Sequence, residues 1–360
     1  MSNLMSFDEF ADSVKNSIKE YLPEDYANAE INVGESRKIN SHYHSMTISK
    51  EGQNVSPSVN LDQMYAEYQK TGEIGPVLQE IAEIARMEPD GIDVHKLDSY
   101  EQAKDSLFIR VSNAETNKDF LQDVPHETIG DLAVTYHVMM GMENGEVGST
   151  TVTNTLMEKF GITEAQLKAD AMENSSKILS PSLESMNNIM ARLLGMDGLA
   201  SNSVPFEQAV EAFNFRDEGM FVLTNTTAVN GAAVMFYPEV MEQLGAHAGG
   251  DMFVIPSSVH EVILVPDDGV MNRMDLEKMI RDINANEVDP KDRLSDSLYH
   301  YDTKDHKLER AVDFEERKEM EKTIGRNVEK TSIKDKLKSA EARVNEQMTV
   351  PKPAKAHALE

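Results

Sequence analysis

The chain has 360 residues, more than one domain usually holds, and 40% of them are hydrophobic, so we expect two packed units. It contains no cysteine, which excludes disulfides, thiolate metal ligands and cysteine nucleophiles. The formal net charge of −28 argues against direct binding of nucleic acid, because an acidic surface repels the phosphate backbone.

The charge is distributed unevenly along the chain. The first 302 residues hold 21 basic and 51 acidic side chains, whereas residues 303–360 hold 14 basic and 12 acidic ones. An acidic body attracts basic partners and can also imitate nucleic acid. We therefore expect a protein partner of basic character, and an acidic decoy is one form of this hypothesis. The alternative is an ordinary acidic protein, and the sequence defines no oligomeric state.

The sequence predicts no association with a membrane. No apolar run approaches the ~20 residues that cross a bilayer. The N-terminal stretch MSNLMSFDEF has neither a basic region nor an apolar core, so it does not resemble a secretory signal. These features favour a cytoplasmic protein.

The first elements in chain order predict a mixed helix and strand unit. Ser6 and Glu9 have the spacing of a capping box, and the helix that follows ends before Pro23. Strands are predicted in AEINVGESRKI, YHSMTISKE and NVSPSVNL, and Pro57 places the third at a sheet edge. Two helices follow, LDQMYAEYQKTG and GPVLQEIAEIARM. This order is typical of an α+β unit.

Strands and helices also alternate in the rest of the chain. SLFIRVS and DLAVTYHVMMG are predicted strands, and Thr163 and Gln166 begin a helix that runs to about Ser175. SLESMNNIMARLLG is predicted as a further helix. MFVLTN and AAVMFY have the pattern of a hairpin that turns at Asn230 and Gly231. A short helix, PEVMEQLG, two strands, MFVI and EVILV, and a helix, MDLEKMIRDIN, complete this region.

The predicted fold class is therefore α+β, with two mixed helix and sheet units and a charged helical C-terminal tail. The units are 6–112 and 113–302, and the tail is 303–360, helical and partly disordered. Ser332 and Asp335 are predicted to cap a marginal last helix within this tail.

Several stretches of the sequence resemble those of a known protein family. They include VLTNTTAVNGAAVMFYPEV, MFVIPSSVHEVILVPDD and INANEVDPKDRLSDSLYHYD, together with VNLDQMYAEYQ and NTLMEKFGITEAQLKADAMENSSKI. In wording and order they resemble the bacterial family labelled domain of unknown function 5688, over roughly residues 6–302. The resemblance implies an intracellular bacterial protein, often encoded near mobile-element genes, and it assigns no activity and no catalytic residues.

The stretch DMFVIPSSVHEVILVPDDG contains residue types of a hydrolase, namely Ser257, Ser258, His260 and Glu261. If it is extended, Ser258 and His260 share a face and Glu261 points to the other. If Pro256 begins a helical turn, Ser257, His260 and Glu261 converge. The G-x-S-x-G elbow of serine hydrolases is absent. We interpret the cluster as a bend between buried strands, with a catalytic cluster as the alternative.

Metal and nucleotide motifs are incomplete. His126 and His260 each begin like H-E-x-x-H, but another residue stands where the second histidine is required. His42 and His44 have ligand spacing without a third ligand. The calcium-loop spacing in DINANEVDPKDR fails at its sixth and twelfth positions, and the glycine-rich GAHAGGD lacks the lysine of a phosphate loop. The sequence predicts no metal site and no cofactor.

Candidate binding residues come from strand patterns. Tyr299 and Tyr301 alternate with His300 as on the edge of a strand, and Asn225 ends another predicted strand. The predicted function is an intracellular, non-enzymatic interaction or accessory protein, associated with mobile genetic elements or acting as an acidic decoy. The alternative is a hydrolase that uses the cluster of Ser257 or Ser258 with His260 and Glu261.

Overall fold

The computed structural model describes residues 4–51, 56–87, 91–143, 146–195, 205–215, 219–324 and 338. Within these ranges the protein is α+β, with helices packed on three antiparallel sheets. One hydrophobic core lies within residues 10–85, and a second core is shared by the other two sheets. The described part of the chain therefore forms an N-terminal unit and a larger body.

The N-terminal unit is a three-stranded sheet covered by helices. Its elements are α1 (Phe7–Ser17), β1 (Glu30–Lys38), β2 (Ser41–Ser49), β3 (Ser58–Asn60), α2 (Leu61–Thr71) and α3 (Ile74–Arg86). The predicted capping box of Ser6 and Glu9 is confirmed. Gly72 closes α2 with a left-handed φ of 72°, a conformation that glycine adopts without strain.

The middle sheet begins the body. Its strands are β4 (Leu107–Asn113), β5 (His126–Ile129), β6 (Leu132–Glu143) and β7 (Glu146–Thr151). The long β6 pairs with β4 along one edge and with β5 and β7 along the other. Because β4 belongs to this sheet, the boundary expected between 112 and 113 falls inside a paired strand. The helices around it are α4 (Tyr100–Ala103), α5 (Lys118–Leu121), α6 (Asn154–Phe160) and α7 (Glu164–Ile178).

The C-terminal sheet has six strands in the order β13-β12-β10-β11-β9-β8. The strands are β8 (Pro181–Ser185), β9 (Phe221–Asn225), β10 (Met252–Ile255), β11 (Val262–Pro266), β12 (Tyr299–Asp302) and β13 (Lys307–Arg310). The helices are α8 (Met186–Leu193), α9 (Phe206–Ala212), α10 (Val240–Ala248), α11 (Arg273–Asn286) and α12, described over 311–324. One sheet face shares a core with the middle sheet, and the other packs on α11.

Two predictions of local structure were wrong. AAVMFY is not a strand, because Gly231–Phe236 forms a buried 3-10 helix. Asn230 enters it with a left-handed φ of 52°, and a Cβ at Gly231 would lie 2.1 Å from Oγ1 of Thr224. SLESMNNIMARLLG is also not one helix, because Ser185 caps α8 and the residues before it pair with β9.

The region after 303 continues the sheet. β13 pairs with β12, so the expected tail boundary separates two hydrogen-bonded strands. Helix α12 then places Phe314 on the His300 ring, with ring centroids 3.7 Å apart. The last helix predicted at Ser332 and Asp335 lies outside the described residues. Within the described ranges, every helix is too short or too polar to cross a bilayer.

Candidate functional site

The segment of Ser257 and Ser258 is an extended bend held by backbone hydrogen bonds. The Leu294 N–H donates to the Ser257 carbonyl at 3.0 Å, and the Val259 N–H donates to the Asp292 carbonyl at 2.8 Å. Ser258 and Arg293 form an isolated bridge. Residues 256–259 therefore pair with 292–295, and the segment joins β10 to β11 without a helical turn.

The side chains of this bend do not assemble a nucleophile and its base. The Ser258 hydroxyl accepts the His260 backbone N–H at 3.0 Å, so it shapes the chain locally. The Asn230 N–H donates to Nδ1 of the His260 ring at 3.2 Å, while Nε2 lies 3.4 Å from an Asp292 oxygen. Among the described residues, neither ring nitrogen contacts a serine hydroxyl. The His260 ring is therefore held by Asn230 and Asp292 and not by either serine.

The three candidate binding residues lie in the interior. Asn225 is 2% exposed, and its Oδ1 accepts the Thr227 N–H at 3.0 Å within a turn. Tyr299 is fully buried, with its hydroxyl 2.7 Å from an Asp131 oxygen, and Tyr301 is 4% exposed. Burial raises the pKa of the Tyr299 hydroxyl well above its ordinary value, and the Asp131 carboxylate raises it further. The Tyr299 hydroxyl thus connects the C-terminal sheet to Ile129 and Asp131 beside the middle sheet, whereas the bonds of Asn225 are local.

The histidines considered as metal ligands are dispersed. His44 bonds Asp62 at 2.8 Å, and His126 bonds the Val124 carbonyl at 2.9 Å. His42 lies 3.4 Å from Glu35. Across the described ranges, no group of three or more histidine and carboxylate side chains is arranged to hold a metal ion.

A cleft of about 580 Å³ lies where the N-terminal unit meets the body. Residues from the β1–β2 hairpin form one wall, and residues from the loop after β4 and from the segment after α11 form the other. The cleft is lined by Arg37, Lys38, Asn40, Ser41, His42, Asn113, Thr116, Asn117, Asp119, Phe120, Asn284, Pro290, Arg293, Leu294, Ser295 and Asp296. Junctions between units are common places for ligand sites.

The Asn40 side chain fixes the two walls relative to each other. Asn40 occupies the turn of the β1–β2 hairpin with a left-handed φ of 55°. Its N–H donates to Oδ1 of Asn117 at 2.6 Å, and its Nδ2 donates to the Lys291 carbonyl at 2.8 Å. The Asn117 amide returns a hydrogen bond of 2.7 Å to Oδ1 of Asn40. One residue thus connects the hairpin to both parts of the opposite wall.

The cleft collects positive charge from both walls. The hairpin contributes Arg37 and Lys38, with His42 in the same lining, and the body contributes Arg293. Within the described residues, the Arg293 side chain bonds only the Val288 carbonyl, at 3.3 Å, and forms no ion pair. Its guanidinium is therefore available to a ligand.

Carboxylates next to the cleft and within its lining oppose this positive charge. Arg37 pairs with Glu35 at 3.4 Å, and exposed pairs of this kind contribute little stability. His42, and to a lesser extent Arg37, lowers the pKa of Glu35. Asp119 and Asp296 also line the cleft. The Asp296 carboxylate accepts a hydrogen bond of 2.6 Å from the buried Asn284 amide.

Sequence reasoning did not identify this cleft. The basic run SRKINSHYH was visible, but its partner Arg293 is remote in the chain. The profile of a family of unknown function, DUF5688, matches residues 7–303. The chain belongs to this family. No curated protein and no solved structure gives a significant match. The part of the chain that matches DUF5688 contains both walls of the cleft, and the family name assigns it no activity.

Proposed function

We propose that this DUF5688 protein is a non-enzymatic binding protein that holds an oxyanion group of its ligand, a carboxylate or a phosphate, in the cleft between the N-terminal unit and the body. The observation that carries the proposal is the grouping of Arg37, Lys38, His42 and Arg293 around one cleft of a chain with a net charge of −28. Arg37 and His42 share one carboxylate, Glu35, and Arg293 forms no ion pair among the described residues.

The range of electrostatic forces supports a ligand with a small anionic group. At physiological ionic strength the Debye length is roughly 8 Å, so acidic side chains farther away are largely screened inside the cleft. Among the side chains that line the cleft, the cations Arg37, Lys38 and Arg293 outnumber the carboxylates Asp119 and Asp296. An extended polyanion such as nucleic acid must also lie along the acidic surface, which repels it. The cleft therefore favours a short ligand or a short segment of a partner.

The polar lining adds hydrogen-bond donors to this charge. Asn113, Asn117 and Ser41 line the same cleft, and amides and hydroxyls fix the orientation of a bound group. The proposal retains a protein partner in the bacterial cytoplasm as the source of the anionic segment. This choice of partner is supported by the charge distribution alone. Binding of a basic partner to the acidic surface is a separate idea, the decoy hypothesis.

The test measures binding of two oxyanion probes to the full chain. A fluorescein-labelled hexaglutamate peptide reports by anisotropy, and unlabelled pyrophosphate or citrate competes with it. We expect the double variant Arg37→Gln/Arg293→Gln to weaken peptide binding by at least about tenfold, since charge-assisted hydrogen bonds are lost. Competition by citrate alone identifies a carboxylate site, and competition by pyrophosphate alone identifies a phosphate site.

The matched control is Arg281→Gln, which removes an exposed arginine of α11 away from the cleft. An equal loss in this control, or unchanged binding in the double variant, would contradict the proposal. The non-enzymatic part is tested with ester, amide and phosphoester substrates. Turnover that disappears in the Ser257→Ala, Ser258→Ala or His260→Ala variant would replace the binding function with the hydrolase alternative.

A further inference from the structure

A second cavity, here called the α10 cavity, lies between the start of α10 and the hairpin of β12 and β13. Its volume is about 210 Å³, below the roughly 300 Å³ of pockets that hold drug-sized ligands, so it has room for one long side chain or a small molecule. Its apolar and aromatic lining consists of Met235, Tyr237, Met241, Tyr301 and Leu308. The α10 cavity shares no lining residue with the cleft between the N-terminal unit and the body.

The rim of the α10 cavity is acidic and exposed to solvent. Glu239 precedes α10, Glu242 lies in its first turn, and His306 lies in the turn between β12 and β13. All three line the cavity and are exposed, so a solute can enter. Neither glutamate forms an ion pair with a described residue, and the Glu239 side chain does not cap α10. Among the described residues, no lysine or arginine lines the cavity to neutralise these carboxylates.

Two tyrosines in the lining have weak hydrogen bonds or none. Tyr237 is 3% exposed, and its hydroxyl has no hydrogen-bond partner among the described residues. Tyr301 is 4% exposed, and its hydroxyl lies 3.4 Å from Nδ1 of His306, which is long for a hydrogen bond. Burial raises the pKa of Tyr301, and the charges of Glu242 and Asp302 raise it further. The Glu242 carboxylate therefore makes the potential at this ring more negative.

The lining favours an organic cation over an anion or a metal ion. Apolar side chains accommodate an aliphatic chain, tyrosine rings attract a cation, and carboxylates pair with it. The two glutamates repel an anion. Glu239, Glu242 and His306 do not form a group arranged to hold a metal ion. The N-terminus of α10 opposes a cation with about half an elementary charge, which is less than the charge of two carboxylates.

We propose that the α10 cavity binds an alkylammonium chain, either the lysine side chain of a basic protein partner or a free amine of the same size. The aliphatic part lies against Tyr301 and Met241, and the ammonium group pairs with Glu239 and Glu242 at the rim. This site is independent of the oxyanion cleft. It gives the acidic body, with 21 basic and 51 acidic side chains in its first 302 residues, a specific point of contact for a basic partner.

The test follows probe binding to the full chain by NMR of isotope-labelled methionine methyl groups. The reporter is Met241, whose signal is assigned by its loss in Met241→Leu. The probes are n-butylammonium, a lysine tripeptide with blocked ends, and n-butanol, which has a similar size and no charge. We expect saturable shifts with both amines and at least about fivefold weaker binding of n-butanol. Tighter binding of the tripeptide identifies a protein segment as the source of the ammonium group, and tighter binding of n-butylammonium identifies a free amine. No shift with either amine, or equal binding of n-butanol, would overturn the proposal.

Variants locate the binding at the rim and the lining. Glu239→Gln/Glu242→Gln keeps the size of both side chains and should weaken n-butylammonium binding at least about fivefold. Tyr301→Leu should weaken it about threefold or more, because a ring that attracts the cation is lost. The double glutamine variant changes exposed positions only, so it decides the case if Tyr301→Leu does not fold.

The matched control is Glu158→Gln, which removes an exposed glutamate of α6 that does not line the α10 cavity. The cleft variant Arg37→Gln/Arg293→Gln should also leave n-butylammonium binding unchanged. An equal loss in Glu158→Gln, or full binding in Glu239→Gln/Glu242→Gln, would contradict the assignment.

Discussion

Asp302 and Arg110 are both largely buried charged residues, but they differ in their ion-pair partners. The Asp302 side chain is 2% exposed and lies 2.8 Å from an Arg317 nitrogen and 2.6 Å from Lys318 Nζ. Arg110 has no ion pair among the described residues. Because an unpaired buried charge costs several kcal/mol, a charge that serves only the fold is expected to have partners, as Asp302 has. The contrast therefore predicts different effects on stability when each charge, or its partners, is removed.

The largest effect is expected from removing the partners of Asp302. In the double variant Arg317→Met/Lys318→Met, the free energy of unfolding should fall by about 3 kcal/mol, because breaking a buried pair leaves an uncompensated carboxylate. Urea unfolding of the full chain measures this change. Lys322→Met, which removes an exposed cation from the same helix, is the control and should change stability by less than about 0.5 kcal/mol. Equal stability of the double variant and the control would show that Asp302 does not depend on these cations.

The pH dependence of stability sharpens the same comparison. Burial tends to raise the pKa of Asp302, but hydrogen bonds from Lys318 and Arg317 outweigh it and hold the pKa well below its ordinary value. Because the folded-state pKa is depressed, the ionised carboxylate stabilises the protein at pH values above the unfolded pKa of roughly 3.9. This stabilisation is lost progressively as the pH falls from that value toward the folded-state pKa. The wild type should therefore lose stability more steeply than Asp302→Asn between about pH 5 and pH 3. Asp282→Asn, at an exposed position, should keep the wild-type slope, and parallel curves for all three proteins would contradict the assignment.

The smallest effect on stability is expected at Arg110. Arg110→Met removes a desolvated charge that has no partner, so the free energy of unfolding should stay equal or rise by up to about 1 kcal/mol. Thermal and urea unfolding in chloride buffer measure it. A loss of about 3 kcal/mol, as expected at Arg317, would mean that Arg110 supports the fold and would remove the contrast between the two charges.

Local elements of the fold were predictable where the chain carries local signals. The capping box at Ser6 defines α1, and apolar alternation defines β6. The run AAVMFY was ambiguous, because a short apolar segment suits a buried strand as well as a buried helix. The pairing of β4 with β6, which crosses the boundary predicted after residue 112, is a nonlocal contact that no local pattern contains.

The candidate sites depend on contacts that sequence spacing does not show. Asn40 and Lys291, joined by a hydrogen bond at the cleft, are 251 positions apart. The expected polar cluster at Ser258 had the right residue types, but backbone pairing with 292–295 directs them to structural bonds. Arg110 did carry a signal, since one arginine interrupts the apolar run SLFIRVS.

The glycines at 91 and 141 have a mechanical consequence. A Cβ at Gly141 would lie 2.0 Å from the Gly91 carbonyl oxygen, and the Asp93 N–H donates to the Met140 carbonyl at 2.9 Å. The connector after the N-terminal unit is thereby pinned to β6, while Asn40 pins the tip of the hairpin. Separating the two walls at the hairpin tip therefore requires breaking the hydrogen bonds of Asn40 to Asn117 and Lys291.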